Sequence, residues 1–352
     1  MIGFIVSGAL PLMLLLSPGT QGYTYERGKV NGNDGAYPCP GLYCGRIPLG
    51  GEDEGLLGPC GQCPRGWRVF NNTHSICQKC EEAPELYDWF YLAFMSLFVL
   101  VLHWIFIDTA AKRRKLTREV LFTHLCAALE VGLSSGLSLL WAEPFGSFSL
   151  VSCHYQHLGD WYTALHNPNP NYEETIHCTT EAIYPLYTLI FVFYVLCLAF
   201  MLLLRPLLRS SGALLCCRGG KKRRANAGGT GIYAALYFLP ILALLHAIFG
   251  GLIYVSFPYI VVILSVISSA SHFAFKLDQS PKALFLGCFT DPRNGLILLG
   301  HWSIHPFGIL AITPLQDPAL HASLIPLVPL PAFFYILPAK FTDPANFDDS
   351  RR

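Results

Sequence analysis

Residues 231–275, GIYAALYFLPILALLHAIFGGLIYVSFPYIVVILSVISSASHFAF, form 45 consecutive positions without a lysine, arginine, aspartate or glutamate. A membrane-spanning helix needs about 20 apolar residues to cross roughly 30 Å of hydrocarbon. The run therefore predicts two crossings, over 232–253 and 257–275, joined by a tight turn near Phe257 and Pro258. A single helix of this length overshoots the bilayer. The whole chain fits that setting: of 352 residues, 53% are hydrophobic and 13% charged, about half the charged fraction of a soluble globular protein.

Further apolar runs lie on both sides. LYDWFYLAFMSLFVLVLHWIFI, at 86–107, ends just before the basic cluster Lys112–Lys115, and runs at 119–141, 182–204, 295–312 and 322–339 complete a set of seven. The fold class expected is an all-α polytopic membrane protein with seven transmembrane helices over 85–340 and a small disulfide-rich N-terminal domain. Cytosolic segments of membrane proteins are rich in Lys and Arg. The four hydrophilic segments on the side of Lys112–Lys115 hold 18 of them, the three loops opposite hold none, and the other six lie in the first 85 residues. This places the N-terminal region in the lumen and the tail, 341–352, in the cytosol.

The first 22 residues, MIGFIVSGALPLMLLLSPGTQG, read as a signal peptide. Cleaved or kept as an anchor, it delivers residues 23–84 to the lumen. That address decides an ambiguity. Cys60, Cys63, Cys77 and Cys80 are spaced C-x2-C, thirteen residues, C-x2-C, which suits a zinc site in a reducing compartment and two disulfides in an oxidising one. In the lumen, disulfides are expected. Cys39 and Cys44 raise the number to six, and 15 pairings stay open. Cys153 and Cys178, in an acidic lumenal loop at 142–181, are expected to pair with each other. Asn71, in Asn71-Asn72-Thr73, is a glycosylation acceptor on the same side.

Several residues invite chemistry. Glu130 is an ionisable group at membrane depth, by default a functional hypothesis; it suits a proton or cation pathway, or a buried hydrogen bond with His124, His103 or His246. His301 and His305 share a helix face, but two ligands leave a metal site incomplete. Gly132-Leu133-Ser134-Ser135-Gly136 matches a hydrolase signature but lies mid-helix, where small residues let helices pack closely. Cys216 and Cys217, beside a basic run just beyond a span, are placed for palmitoylation. No metalloprotease, Walker or dinucleotide motif is present. The reading is of a protein that is not an enzyme, has no cofactor and binds no nucleic acid, its basic clusters serving membrane orientation and the lipid bilayer.

LYCG at 42–45, CGQCPRG at 60–66, PELYDWFYL at 84–92, DWYTALHNPNPNY at 160–172 and HCTTEAIYPLYT at 177–188 resemble one family, the c-Jun N-terminal kinase-associated membrane proteins. LLRPLL at 203–208, IYAALYFLPIL at 232–242, LVPLPAFFY at 327–335 and AKFTDP at 339–344 extend the resemblance, which is weakest at 210–230 and 276–293. It implies a multi-pass protein of the endoplasmic reticulum membrane. It also implies an adaptor for the proteasome and for the ubiquitin ligase and AAA ATPase machinery that removes misfolded proteins, associated with the c-Jun N-terminal kinase. Two other readings rest on the residues: a proton- or cation-coupled transporter built on Glu130 and the membrane histidines, and a seven-helix signalling receptor with a Cys-rich ligand domain.

Overall fold

The structure is a computed structural model that describes residues 39, 43–48, 57–70, 75–111, 118–153, 157–163, 165, 178, 181–210, 224–274, 276, 278–312, 320 and 323–342. The expected signal peptide, Asn71, Cys216, Cys217 and the end of the tail lie outside them. Four short strands come first: β1 (Cys44–Gly45), β2 (Gly61–Gln62), β3 (Trp67–Val69) and β4 (Cys77–Lys79). The long helices follow: α1 (Leu86–Ala111), α2 (Arg118–Trp141), α3 (Leu186–Ser210) and α4 (Arg224–Ala274). Shorter ones complete the chain: α5 (Pro281–Thr290), α6 (Pro292–Ala311), α7 (Leu330–Ile336) and α8 (Ala339–Thr342).

Two compact units are built from these elements, one from the described residues of Met1–Pro84 with Met95–Gly250, the other from Glu85–Phe94 with Gly251–Arg352. In the first, β1 pairs antiparallel with β2, Cys44 opposite Gln62, and β3 with β4, Val69 opposite Cys77. Strands of two or three residues cannot hold a sheet alone, so covalent links take over. Cys39 is bonded to Cys60 and Cys63 to Cys77, separated by 21 and 14 residues. Cys44 is bonded to Cys178 and Cys80 to Cys153, across 134 and 73 residues. A Cβ on Gly45 would fall 2.6 Å from Val69 Cγ2 and 2.7 Å from Cys77 Sγ, so only glycine lets the two hairpins close on one another.

The expected Cys153–Cys178 pair is thereby corrected. Ser152 N–H donates to the Glu82 carbonyl at 2.7 Å and Cys153 N–H to the Tyr184 carbonyl at 3.3 Å, which sets Cys153 beside Cys80 rather than beside its neighbour in the loop. Two of the four bonds run from the Cys-rich segment to the connection between α2 and α3, which ties the two segments together covalently.

Among the described residues, four helices, α1 to α4, are long and apolar enough to cross a membrane. The seven expected runs differ at two places. The reversal at Phe257–Pro258 is absent: α4 continues through it as one helix of 51 residues, 44 of them in the apolar stretch Gly231–Ala274. That stretch is about 66 Å long, roughly twice the hydrocarbon core. Proline removes the hydrogen bond to the carbonyl four residues earlier. Here that carbonyl, of Tyr254, accepts from the Tyr87 hydroxyl at 2.7 Å, so helix geometry persists. The sixth run corresponds to α6, and the seventh breaks into a 3-10 turn at Ile325–Leu327 and short helices where prolines interrupt it. Within the second unit, Gly308 lets α6 approach α4; a Cβ there would lie 2.7 Å from Val262 Cγ2.

Candidate functional site

The most consequential polar group in the first unit is buried between three helices. Glu130 on α2 is 1% exposed, Arg205 on α3 is 5% exposed and His103 on α1 is 1% exposed. Arg205 Nε donates to both Glu130 oxygens, at 2.9 and 3.0 Å, and Arg205 Nη2 donates to His103 Nδ1 at 3.1 Å. Because an arginine can only donate, His103 accepts at Nδ1 and carries its proton on Nε2. His103 Nε2 and Arg205 Nη1 are buried without a partner among the described residues. The carboxylate and guanidinium cancel in charge, so the three helices share a neutral, directional lock. Removing one partner would leave an uncompensated buried charge, a cost of about 3–5 kcal/mol.

Of the three histidines expected to bond Glu130, His103 joins it only through Arg205, and the other two serve elsewhere. His124 Nε2 lies 3.3 Å from Asp108 Oδ1, and its carbonyl accepts from Trp104 Nε1 at 3.2 Å. His246 on α4 is fully buried, donating from Nε2 to the Tyr187 carbonyl at 3.1 Å among the rings of Tyr187, Phe191 and Trp161. Arg205 itself escaped the sequence reading, which counted it in a cytosolic loop starting at 205. The helix instead runs on to Ser210. The signal was an arginine inside the apolar string Leu202–Leu208, where a buried acid one span away supplies its counter-charge.

A second cluster orders the segment carrying the disulfides. Asp160, 3% exposed, accepts from the Tyr43 hydroxyl and from Arg68 Nη2, both at 3.0 Å, and from the His157 backbone N–H at 2.9 Å. Burial, reinforced by the Asp160 carboxylate, holds the Tyr43 hydroxyl well above the usual phenol range, so it stays a donor. In the second unit, His301 and His305 do share a face of α6, where each meets a serine of α4: His301 Nδ1 lies 2.9 Å from Ser268 Oγ and His305 Nδ1 2.7 Å from Ser265 Oγ. These are interhelical hydrogen bonds of the kind that join membrane helices. Among the described residues, no three His, Cys, Asp or Glu gather to hold a metal. Within the hydrolase-like string, Ser134 Oγ donates to the Glu130 carbonyl at 2.7 Å and Ser135 Oγ meets Ser96 Oγ of α1 at 3.0 Å, so both hydroxyls serve helix packing.

Comparison with known proteins gives a single answer. The family model described as JNK1/MAPK8-associated membrane protein matches residues 39–344. The chain is 42% identical over 310 residues to the JNK1/MAPK8-associated membrane protein of Homo sapiens, covering 88% of this chain and 94% of that protein, and equally identical to its Mus musculus counterpart. A homolog from Caenorhabditis elegans is 32% identical over 316 residues, covering 86% of this chain and 93% of the homolog. No solved structure matches. With its matched segment holding all eight paired cysteines and the buried Glu130–Arg205–His103 lock, the chain belongs to the JNK1/MAPK8-associated membrane protein family.

Proposed function

We propose that this protein is an adaptor of the endoplasmic reticulum membrane. It draws the proteasome, with a ubiquitin ligase and AAA ATPase machinery, to the place where misfolded proteins are removed, and it associates with the c-Jun N-terminal kinase. The observation that carries the reading is the family match over 39–344, with relatives named for association with JNK1/MAPK8. It acts by docking rather than by catalysis: a partner held at the membrane gains effective concentration without any chemical step. Both oxygens of Glu130 are held by Arg205, which favours a structural carboxylate over the transport reading.

The orientation belongs to the same reading. Disulfides linking residues 39–80 to Cys153 and Cys178 suit a lumenal address for both segments. Moving Arg205 into the bundle leaves the remaining basic residues of 205–230 on the other side.

The adaptor reading is tested by affinity purification from microsomes. The full chain recovers proteasome and JNK1, and a chain lacking residues 211–223 and 343–352 does not. Equal recovery by both would overturn the reading.

A further inference from the structure

The second unit contains a cavity of about 250 Å³ between α5, α6 and α7, walled by Phe273, Phe285, Cys288, Leu298, Trp302 and Phe333. Apolar cavities of about 150 Å³ already take up benzene. This one has room for a longer hydrocarbon segment, though not for a whole lipid. Its mouth lies where Phe289, 73% exposed, and Leu299, 58% exposed, also line it. Leu296 on α6 and Phe334 on α7 are exposed as well. Apolar side chains exposed on a membrane protein are suited to contact with lipid chains.

A cationic group stands at the edge. Lys276 Nζ donates to Asn294 Oδ1, next to the lining residue Gly295, and Asn294 Nδ2 donates at 3.4 Å to the carbonyl of Gly287, next to Cys288. The ammonium lies within electrostatic reach of the Cys288 thiol itself. The nearest acid in sequence, Asp278, is engaged by the Ser280 backbone N–H at 2.9 Å. Among the described residues no carboxylate lies within ion-pair distance of Lys276. An apolar slot with one unneutralised cation at its rim is complementary to an amphiphile with a hydrocarbon tail and an anionic head.

We propose that this cavity holds a segment of one acyl chain of an anionic phospholipid drawn from the surrounding bilayer, with the lipid phosphate beside Lys276. This goes beyond the adaptor reading and does not depend on it.

Trp302 reports on the site. The full chain is placed in phosphatidylcholine nanodiscs containing a small fraction of brominated-chain lipid, either phosphatidylglycerol or phosphatidylcholine. Quenching of Trp302 is read as the difference between the wild-type chain and Trp302→Phe. One surface cation is worth about a fivefold preference for an anionic headgroup, so brominated phosphatidylglycerol should quench at about one-fifth the mole fraction that phosphatidylcholine needs. Lys276→Gln should abolish that preference while both lipids still quench. Ala332→Phe, which fills the cavity from α7, should reduce quenching by both lipids; Leu299→Phe, at the exposed mouth, supplies the same reading if the first variant does not fold. Equal quenching by the two headgroups in the wild-type chain would mean annular contact only and would overturn the proposal. Quenching unchanged by the filling variants would overturn it as well, because the chain would then lie outside the cavity.

Discussion

Between Cys39 and Cys80 the strands are two or three residues long and disulfides hold them, whereas the helices from Leu86 onward satisfy their own backbones and are pinned by a few buried polar side chains. The first region has too little secondary structure and apolar core to set its own geometry, so cross-links between distant residues set it. The second has ample hydrophobic surface, but lipid chains are as apolar as leucine and give helices little reason to choose one partner over another. There, direction comes from Glu130 with Arg205 and His103, and from the serine–histidine pairs of α4 and α6. Covalent bonds specify where the backbone is irregular; hydrogen bonds specify where it is regular.

The sharpest way to break this comparison is to remove Cys44 and Cys178 together as serines. Their bond spans 134 residues, against 14 for Cys63–Cys77, and disulfides closing longer loops stabilise more, within a range of about 2–5 kcal/mol. Thermal unfolding of the detergent-solubilised chain should fall further for Cys44→Ser with Cys178→Ser than for Cys63→Ser with Cys77→Ser; the reverse order would mean that the hairpins, not the long links, organise the region. Next in size, Arg205→Leu should cost about 3–5 kcal/mol by stranding Glu130, and the double change Glu130→Leu with Arg205→Leu should recover most of it. A single variant as stable as the parent would show that the pair is solvated.

Two smaller effects probe the helices of the second unit. Gly308→Leu forces a side chain into Val262 and should cost about 1–3 kcal/mol, read as a lowered melting temperature. Tyr87→Phe removes the donor to the carbonyl that Pro258 leaves unpaired and should cost about 1 kcal/mol. If it has no effect on stability, something other than Tyr87 carries the helix through that proline.

Much of this was legible in the residues. Apolar length marked α1, α2 and α3 within a few positions, and the expectation of an oxidising address marked all eight cysteines as disulfide partners. The pairing was not legible, because spacing says nothing about which strands of chain meet, and Cys153 found Cys80 through the backbone bond between Ser152 and Glu82. Arg205 was misread because a basic residue at the end of an apolar run looks topogenic until its partner is seen. Pro258 looked like a turn for a related reason: the Tyr87 hydroxyl that rescues its helix is 167 residues from the rescued carbonyl.

The sequence by itself determined the membrane setting, the set of cysteines suited to disulfides and the positions of long helices, since apolar length and cysteine content are local sums that need no partner. Only the tertiary structure decided which cysteines bond, which cation answers Glu130 and whether a proline ends a helix. Each of those depends on a group far away in the chain, and a buried polar atom is stable only where that group arrives.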